Sequence, residues 1–122
     1  MLFKLLKKIK KNREFSYIYK KGKRSYFEHV RIFQIKTREP GAFYGITTSK
    51  KFKSAVDRNK ARRRTRNILK DESFAEKIKF VISIKETALE IPYGDLKEEI
   101  LQALLKSKII LKDSHQRTEQ RQ

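Results

Sequence analysis

The residues with the clearest chemistry lie between Lys50 and Arg66, where nine of seventeen positions are Lys or Arg and the only acid is Asp57. That chemistry is the recognition of anions rather than the making of bonds. Arg outnumbers Lys from Arg58 to Arg66, and a guanidinium pairs with phosphate through two parallel hydrogen bonds and stacks on bases, which a lysine point charge cannot copy. An ordinary solvated helix face mixes its signs. On a helical wheel Asn59, Arg63 and Arg66 fall opposite a narrow stripe of Val56, Ala61, Thr65, Ile68 and Leu69. Arg58 and Arg62 flank the stripe on one side, Lys60 and Arg64 on the other. Such a helix can touch two strands of a polyanion at once, so nucleic acid is the expected partner.

A second constellation joins Phe15 and Tyr19, four residues apart, to Phe33, which shares a strand face with Arg31. Aromatic faces beside cations can stack unpaired bases, at about 1–3 kcal/mol per base. Spacing alone favours core packing for these rings. Bond-making chemistry finds no comparable set. There is no Cys, and His29 and His115 stand apart and read as ordinary surface histidines, so no nucleophile, general base or protein metal site is expected. The acids scatter beside predicted helix ends, where they cap, complement helix dipoles or balance lysines. The four glycines never cluster into a phosphate-cradling loop, and no small-molecule substrate is expected.

Composition sets the frame for these residues. The 122-residue chain carries a formal charge of +18, a self-repulsion that a polyanion relieves in the working state. Leu, Ile, Val and Phe make 34 of the 122 residues, above the roughly one-fifth below which a highly charged chain stays disordered. One core without disulfides is expected. The absence of Cys fits a reducing, cytoplasmic setting, and no apolar run reaches the eighteen residues of a membrane span. Residues 1–11 alternate apolar and basic side chains. They read as a basic arm on an RNA-binding domain, and less favourably as a membrane-surface helix.

The elements that must position these side chains follow from the pattern. Asn12 can cap a short helix carrying Phe15, Ile18 and Tyr19 and ending at Gly22. Lys23 to Phe27 suggests a brief strand, and Glu28 to Arg38 a longer one with Val30 and Ile32 on one face and Arg31, Phe33 and Ile35 on the other. Pro40 and Gly41 suit a type II turn, which predicts Phe43 to Ser49 returning antiparallel as the next strand. The basic helix should run from a Ser54 cap to about Glu72, followed by a buried strand at Lys79–Ile84. Asp95, with Glu98 at the reciprocal position, can cap a last helix with a stripe of Leu96, Ile100, Ala103 and Leu104. This predicts an α+β sandwich spanning residues 12–111 as one domain, with a polar, frayed tail at 112–122.

The motifs then resemble those of a known family, the protein subunit of bacterial ribonuclease P. Ser49-Lys50-Lys51, then Ala55-Val56, then Arg58-Asn59-Lys60-Ala61-Arg62-Arg63 and Arg66, is similar to that family's signature. Glu14-Phe15 through Tyr19 to Gly22 resembles its first-helix motif, and Gly45-Ile46 fits its third strand. The resemblance runs from about Ile9 to Lys108. Departures include Lys53-Ser54 where Gly-Asn is usual, Lys60-Ala61 where Arg-Ile is common, polar Arg64 and Thr65 at commonly apolar positions, and Asn67 for a frequent Glu.

The resemblance implies a two-layer α-β-β-β-α-β-α sandwich like a domain of ribosomal protein S5, with a left-handed βαβ crossover. It implies a subunit of an endoribonuclease whose catalysis is carried by the RNA and its Mg²⁺, the protein supplying no catalytic residue and holding no metal. Lys50, Lys51, Lys53, Arg58, Asn59, Lys60, Arg62, Arg63 and Arg66 would lie on the catalytic RNA. Phe15, Tyr19, Arg31 and Phe33 would hold the single-stranded 5′ leader of precursor tRNA, which reverses the core-packing preference that spacing gave those rings. A structural ribosomal protein or general RNA chaperone is the alternative with the same charge and size.

Overall fold

In the computed structural model, which describes residues 6–110, the strongest apolar run of the chain takes the middle of one sheet. The elements in order are β1 (Leu6–Lys8), α1 (Asn12–Lys21), β2 (Lys23–Tyr26), β3 (Val30–Lys36), β4 (Ala42–Thr48), α2 (Ala55–Leu69), β5 (Ile78–Ile84), a 3₁₀ turn (Glu86–Glu90) and α3 (Tyr93–Lys106). The strands lie in the order β1-β4-β5-β3-β2. Of β5, only Lys79 and Ser83 are not fully buried, and a strand covered on both faces belongs in the centre.

Alternation along the strands sorts the sheet into two faces. On one, Val30, Ile32, Ala42, Phe80, Ile82 and Ile84 join Ala61, Ile68 and Leu69 of α2 and Leu96, Ile100 and Leu104 of α3 in the main core. On the other, Phe33 and Val81 join Ile9 and Ile18 in a smaller core edged by Phe15, Tyr19, Ile35 and Phe43. The α+β sandwich read from the sequence is therefore the fold. The sheet and the α2–α3 layer form its body, and α1 sits on the sheet's other face.

Several local expectations are corrected. Residues 1–11 are not wholly an arm: Leu6–Lys8 pairs in parallel with β4, and Ile9 is buried with its N–H donated to the Tyr44 carbonyl at 2.8 Å. Ile9 and Leu6 supply the apolar anchorage, while Lys7 and Lys8 keep this sheet edge charged. Residues 1–5 and the predicted tail at 112–122 lie outside the described residues. The strand after Pro40-Gly41 does not pair with β3. Gly41 does adopt φ 100°, as the turn requires, but β5 inserts between the two strands, antiparallel to β3 and parallel to β4. The more apolar strand displaces the hairpin partner.

At the helix ends, Ser54 caps α2 as predicted by accepting from the Asp57 N–H at 3.1 Å, though the helix closes at Leu69 rather than near Glu72. Val56 is 74% exposed and outside the stripe, because the buried face set by Ala61, Thr65, Ile68 and Leu69 has turned away from it. Asp95 is in the first turn of α3, not at its cap, which Pro92 occupies. Lys11, not Asn12, precedes α1. Gly22 ends α1 with an extended backbone; a Cβ there would meet the Ile18 and Gln34 carbonyl oxygens at 2.4 and 2.8 Å, so close approach rather than a left-handed turn explains the glycine.

Candidate nucleic-acid interface

Two surfaces carry the predicted residues, and different elements build them. The first is the outer face of α2. Its buried stripe packs on the sheet and α3, so Asn59, Lys60, Arg63 and Arg66 stand exposed. Not every cation there is available in the same way. Arg58 donates from Nη2 to the Phe52 carbonyl at 3.1 Å, and Arg62 from Nη1 to Asn59 Oδ1 at 3.3 Å. Arg58 thus steadies the loop entering α2. Buried Phe52 anchors that loop, leaving Lys50, Lys51 and Lys53 exposed around it. At its start Ser49 donates through Oγ to Glu86 Oε1 at 2.8 Å. That hydroxyl is the main reason the Glu86 carboxyl lies below its ordinary value, so the tie holds as a charge-assisted bond.

The second surface is the α1 face of the sheet, and strand register arranges it in lines. Tyr26 faces Arg31, Arg31 faces Ser83, and Ser83 faces Thr47, one line across β2, β3, β5 and β4. The next line is Arg24, Phe33, Val81 and Gly45. Helix α1 covers this second line. Phe15 lies so close over Gly45 that an added Cβ would meet its ring carbons at 2.4 and 2.6 Å. Tyr19 meets Phe33 edge-on, ring centres 4.6 Å apart, and its hydroxyl shares a 2.6 Å hydrogen bond with Thr47 Oγ1. Burial raises the Tyr19 phenol, an effect the Thr47 bond partly offsets. The hydroxyl therefore stays protonated at neutral pH.

The structure thus brings Phe15, Tyr19, Phe33 and Arg31 onto one face, and it gives the aromatics two tasks. Phe33 is only 8% exposed and forms the floor. Phe15 and Tyr19 are half-buried at the rim. Beyond the rim a cleft of about 680 Å³ is lined by Arg31, Ser83, Lys85, Ser49, Lys50 and Lys51, with Glu28, His29 and Glu86 among its other walls. Lys50 and Lys51, grouped by sequence with the helix cations, therefore share a cleft with Arg31. They join the two surfaces.

Sequence reasoning missed several residues here. Arg24 stacks over Phe33 at 6.0 Å and Arg31 over Tyr26 at 5.4 Å, while Lys7 and Lys79 flank Phe43 at 5.7 and 5.4 Å. Period-two alternation along Lys23–Tyr26 held the signal for Arg24 and Tyr26, but only the register says which β3 residues they meet. His29 also differs from the surface histidine expected: its ring and main-chain N–H both engage the Glu99 carboxylate at 2.6 Å, bolting the approach to β3 onto α3. Glu28, His29 and Glu99 place three donor atoms within 4.8 Å of one another. This set does not fit Mg²⁺, which demands a near-octahedral oxygen shell, because it includes an imidazole and Glu99 is engaged by His29.

Comparison with known proteins places the chain among relatives of one family and fold. The family model described as Ribonuclease P matches residues 3–108. The chain is 34% identical over 108 residues to the ribonuclease P protein component of Acholeplasma laidlawii, covering 87% of this chain and 93% of that one. It is 33% identical over 104 residues to the corresponding protein of Bacillus cereus strain B4264, covering 82% and 90%. Among solved structures, the Staphylococcus aureus RNase P protein superposes with a TM-score of 0.78 at 26% identity, covering 84% of this chain and 96% of that one. The Thermotoga maritima protein gives 0.74 at 23% identity, covering 82% and 96%, a likeness of fold.

Proposed function

The chain belongs to the ribonuclease P protein family, components of a tRNA-processing ribonucleoprotein, and from that premise we propose that it binds the catalytic RNA through α2 and the 5′ leader of precursor tRNA through the α1 cleft. The observation that carries this reading is the meeting of Arg31 with Lys50 and Lys51 in one cleft beside the Phe15–Tyr19–Phe33 group. A basic groove next to a row of aromatic rings suits an unpaired strand: cations follow the phosphates and rings accept bases of any sequence. The outer face of α2 offers charge without such rings. It suits the phosphates of folded RNA, where counterion release supplies the affinity.

Leader hydrolysis belongs to the RNA subunit in this reading, and the water would be activated by Mg²⁺ held on that RNA. The chain's own residues bind and orient. Arg31, Lys50 and Lys51 neutralise leader phosphates, the Tyr19 hydroxyl and Thr47 present polar groups at the rim, and the α2 cations screen repulsion between two RNAs. Precursor tRNA is distinguished from its product by a strand that only the precursor has.

The test is reconstitution. Adding the protein to bacterial ribonuclease P RNA at low Mg²⁺ should restore precursor cleavage and tighten binding of precursor more than of mature tRNA. Restoration without that preference would favour a general RNA chaperone.

A further inference from the structure

The line of residues just outside α1 is open, and it leads somewhere that the leader-cleft reading does not use. From Thr47 and Ser83 it passes over Arg31 to Tyr26 on β2, the edge of the sheet. Tyr26 is 65% exposed, although a folded domain usually turns a ring on an edge strand inward or leaves it out. Among the described residues its ring partner is the Arg31 guanidinium at 5.4 Å, which covers part of the ring and leaves most of the residue open. Arg31 in turn lines the basic cleft with Lys50 and Lys51. Arg24, one line in, is exposed and stacked over Phe33.

We infer that Tyr26 and Arg31 form a stacking shelf for a further unpaired base of the leader, so that the bound strand crosses β3 onto the sheet edge instead of ending at the α1 rim. An exposed aromatic ring sandwiched on one side by a guanidinium accepts a base on its other side, and the guanidinium beside it answers the adjoining phosphate. Distance supports one continuous strand. Ser83 and Tyr26 are two strand spacings apart, about 10 Å, which is about three nucleotides at the stacked spacing of roughly 3.4 Å. A folded protein partner fits less well: Arg24 and Arg31 share the ring's face of the sheet, and the exposed edge itself is short and basic.

This inference rests on the leader-cleft reading, and leader length separates the two. Holoenzyme affinity is measured for mature tRNA and for precursors with leaders of one to ten nucleotides, with the wild-type protein, Tyr26→Ala and Tyr26→Phe. The expected result is unchanged affinity of Tyr26→Ala for mature tRNA, a loss of about five- to tenfold once the leader is long enough to reach the shelf, and recovery in Tyr26→Phe. Wild-type leader dependence with no Tyr26→Ala effect at any length overturns the shelf and spares the cleft. An equal loss for mature tRNA also overturns the shelf. No leader dependence in the wild type removes both. Because the chain has no tryptophan, Tyr26→Trp gives a second readout: its emission in the holoenzyme should be quenched by precursor and not by mature tRNA, and equal emission with both would contradict base stacking there.

Discussion

The two surfaces proposed to face RNA are built on opposite principles. On α2 the cations project from a helix that is held by its other side, through Ala61, Thr65, Ile68 and Leu69. Removing Lys60, Arg63 or Arg66 takes nothing from the core. In the α1 cleft, the rings proposed to face RNA are also the second core: Phe33 is its floor, Phe15 rests on Gly45, and Tyr19 closes on Phe33 and Thr47. A charge-based grip is therefore tunable without touching the fold, whereas a stacking cleft is coupled to it.

The sharpest way to break that contrast is to compare stabilities. Phe33→Ala should lower the unfolding free energy by about 3 kcal/mol or more, as deletion of a buried ring does, and urea denaturation would show it. Gly45→Ala comes next, at about 1–3 kcal/mol, because its Cβ must push Phe15 off the sheet; a neutral result would mean that Phe15 is not seated there. Tyr19→Phe keeps the edge-on ring contact and loses the hydroxyl bond to Thr47, at about 1 kcal/mol.

Arg63→Ala should move stability by no more than about 0.5 kcal/mol. It should nevertheless weaken binding to the catalytic RNA and make its salt dependence shallower by about one unit or less. An unchanged slope would place Arg63 away from phosphate. The smallest effect concerns the hinge between the surfaces. The Ser49 hydroxyl holds Glu86 below the ordinary value of 4.5, so this tie stabilises the fold above that value and is lost as pH falls through the depressed one. Glu86→Gln should flatten the acid limb of the stability profile slightly, and an unaltered limb would show the tie to be idle.

Legibility in the sequence divides along the same line. The basic outer face of α2 could be read because charge density and a 3.6-residue stripe are local, and so could the last helix, whose Leu96, Ile100, Ala103 and Leu104 are all buried. Val56 misled because four later residues set the helix's rotation. The cleft was half legible: alternation put Arg31, Phe33 and Ile35 on one face, but it could not say that β5 would separate β3 from β4. That long-range choice aligns Tyr26, Arg31, Ser83 and Thr47, and it brings Lys50 and Lys51 beside them. The strand at Leu6–Lys8 escaped notice because three residues rich in lysine carry little pattern until β4 offers them an edge.

The central claim is that the two surfaces do separable work, and the most direct test is the ratio of precursor to mature tRNA affinity in reconstituted holoenzyme containing Tyr19→Ala or the Arg63→Ala/Arg66→Ala pair, with the protein's affinity for the catalytic RNA measured alongside. The account predicts that Tyr19→Ala lowers the ratio and leaves affinity for the catalytic RNA unchanged, while the arginine pair lowers that affinity and leaves the ratio unchanged. Both variants shifting both quantities in proportion would contradict it.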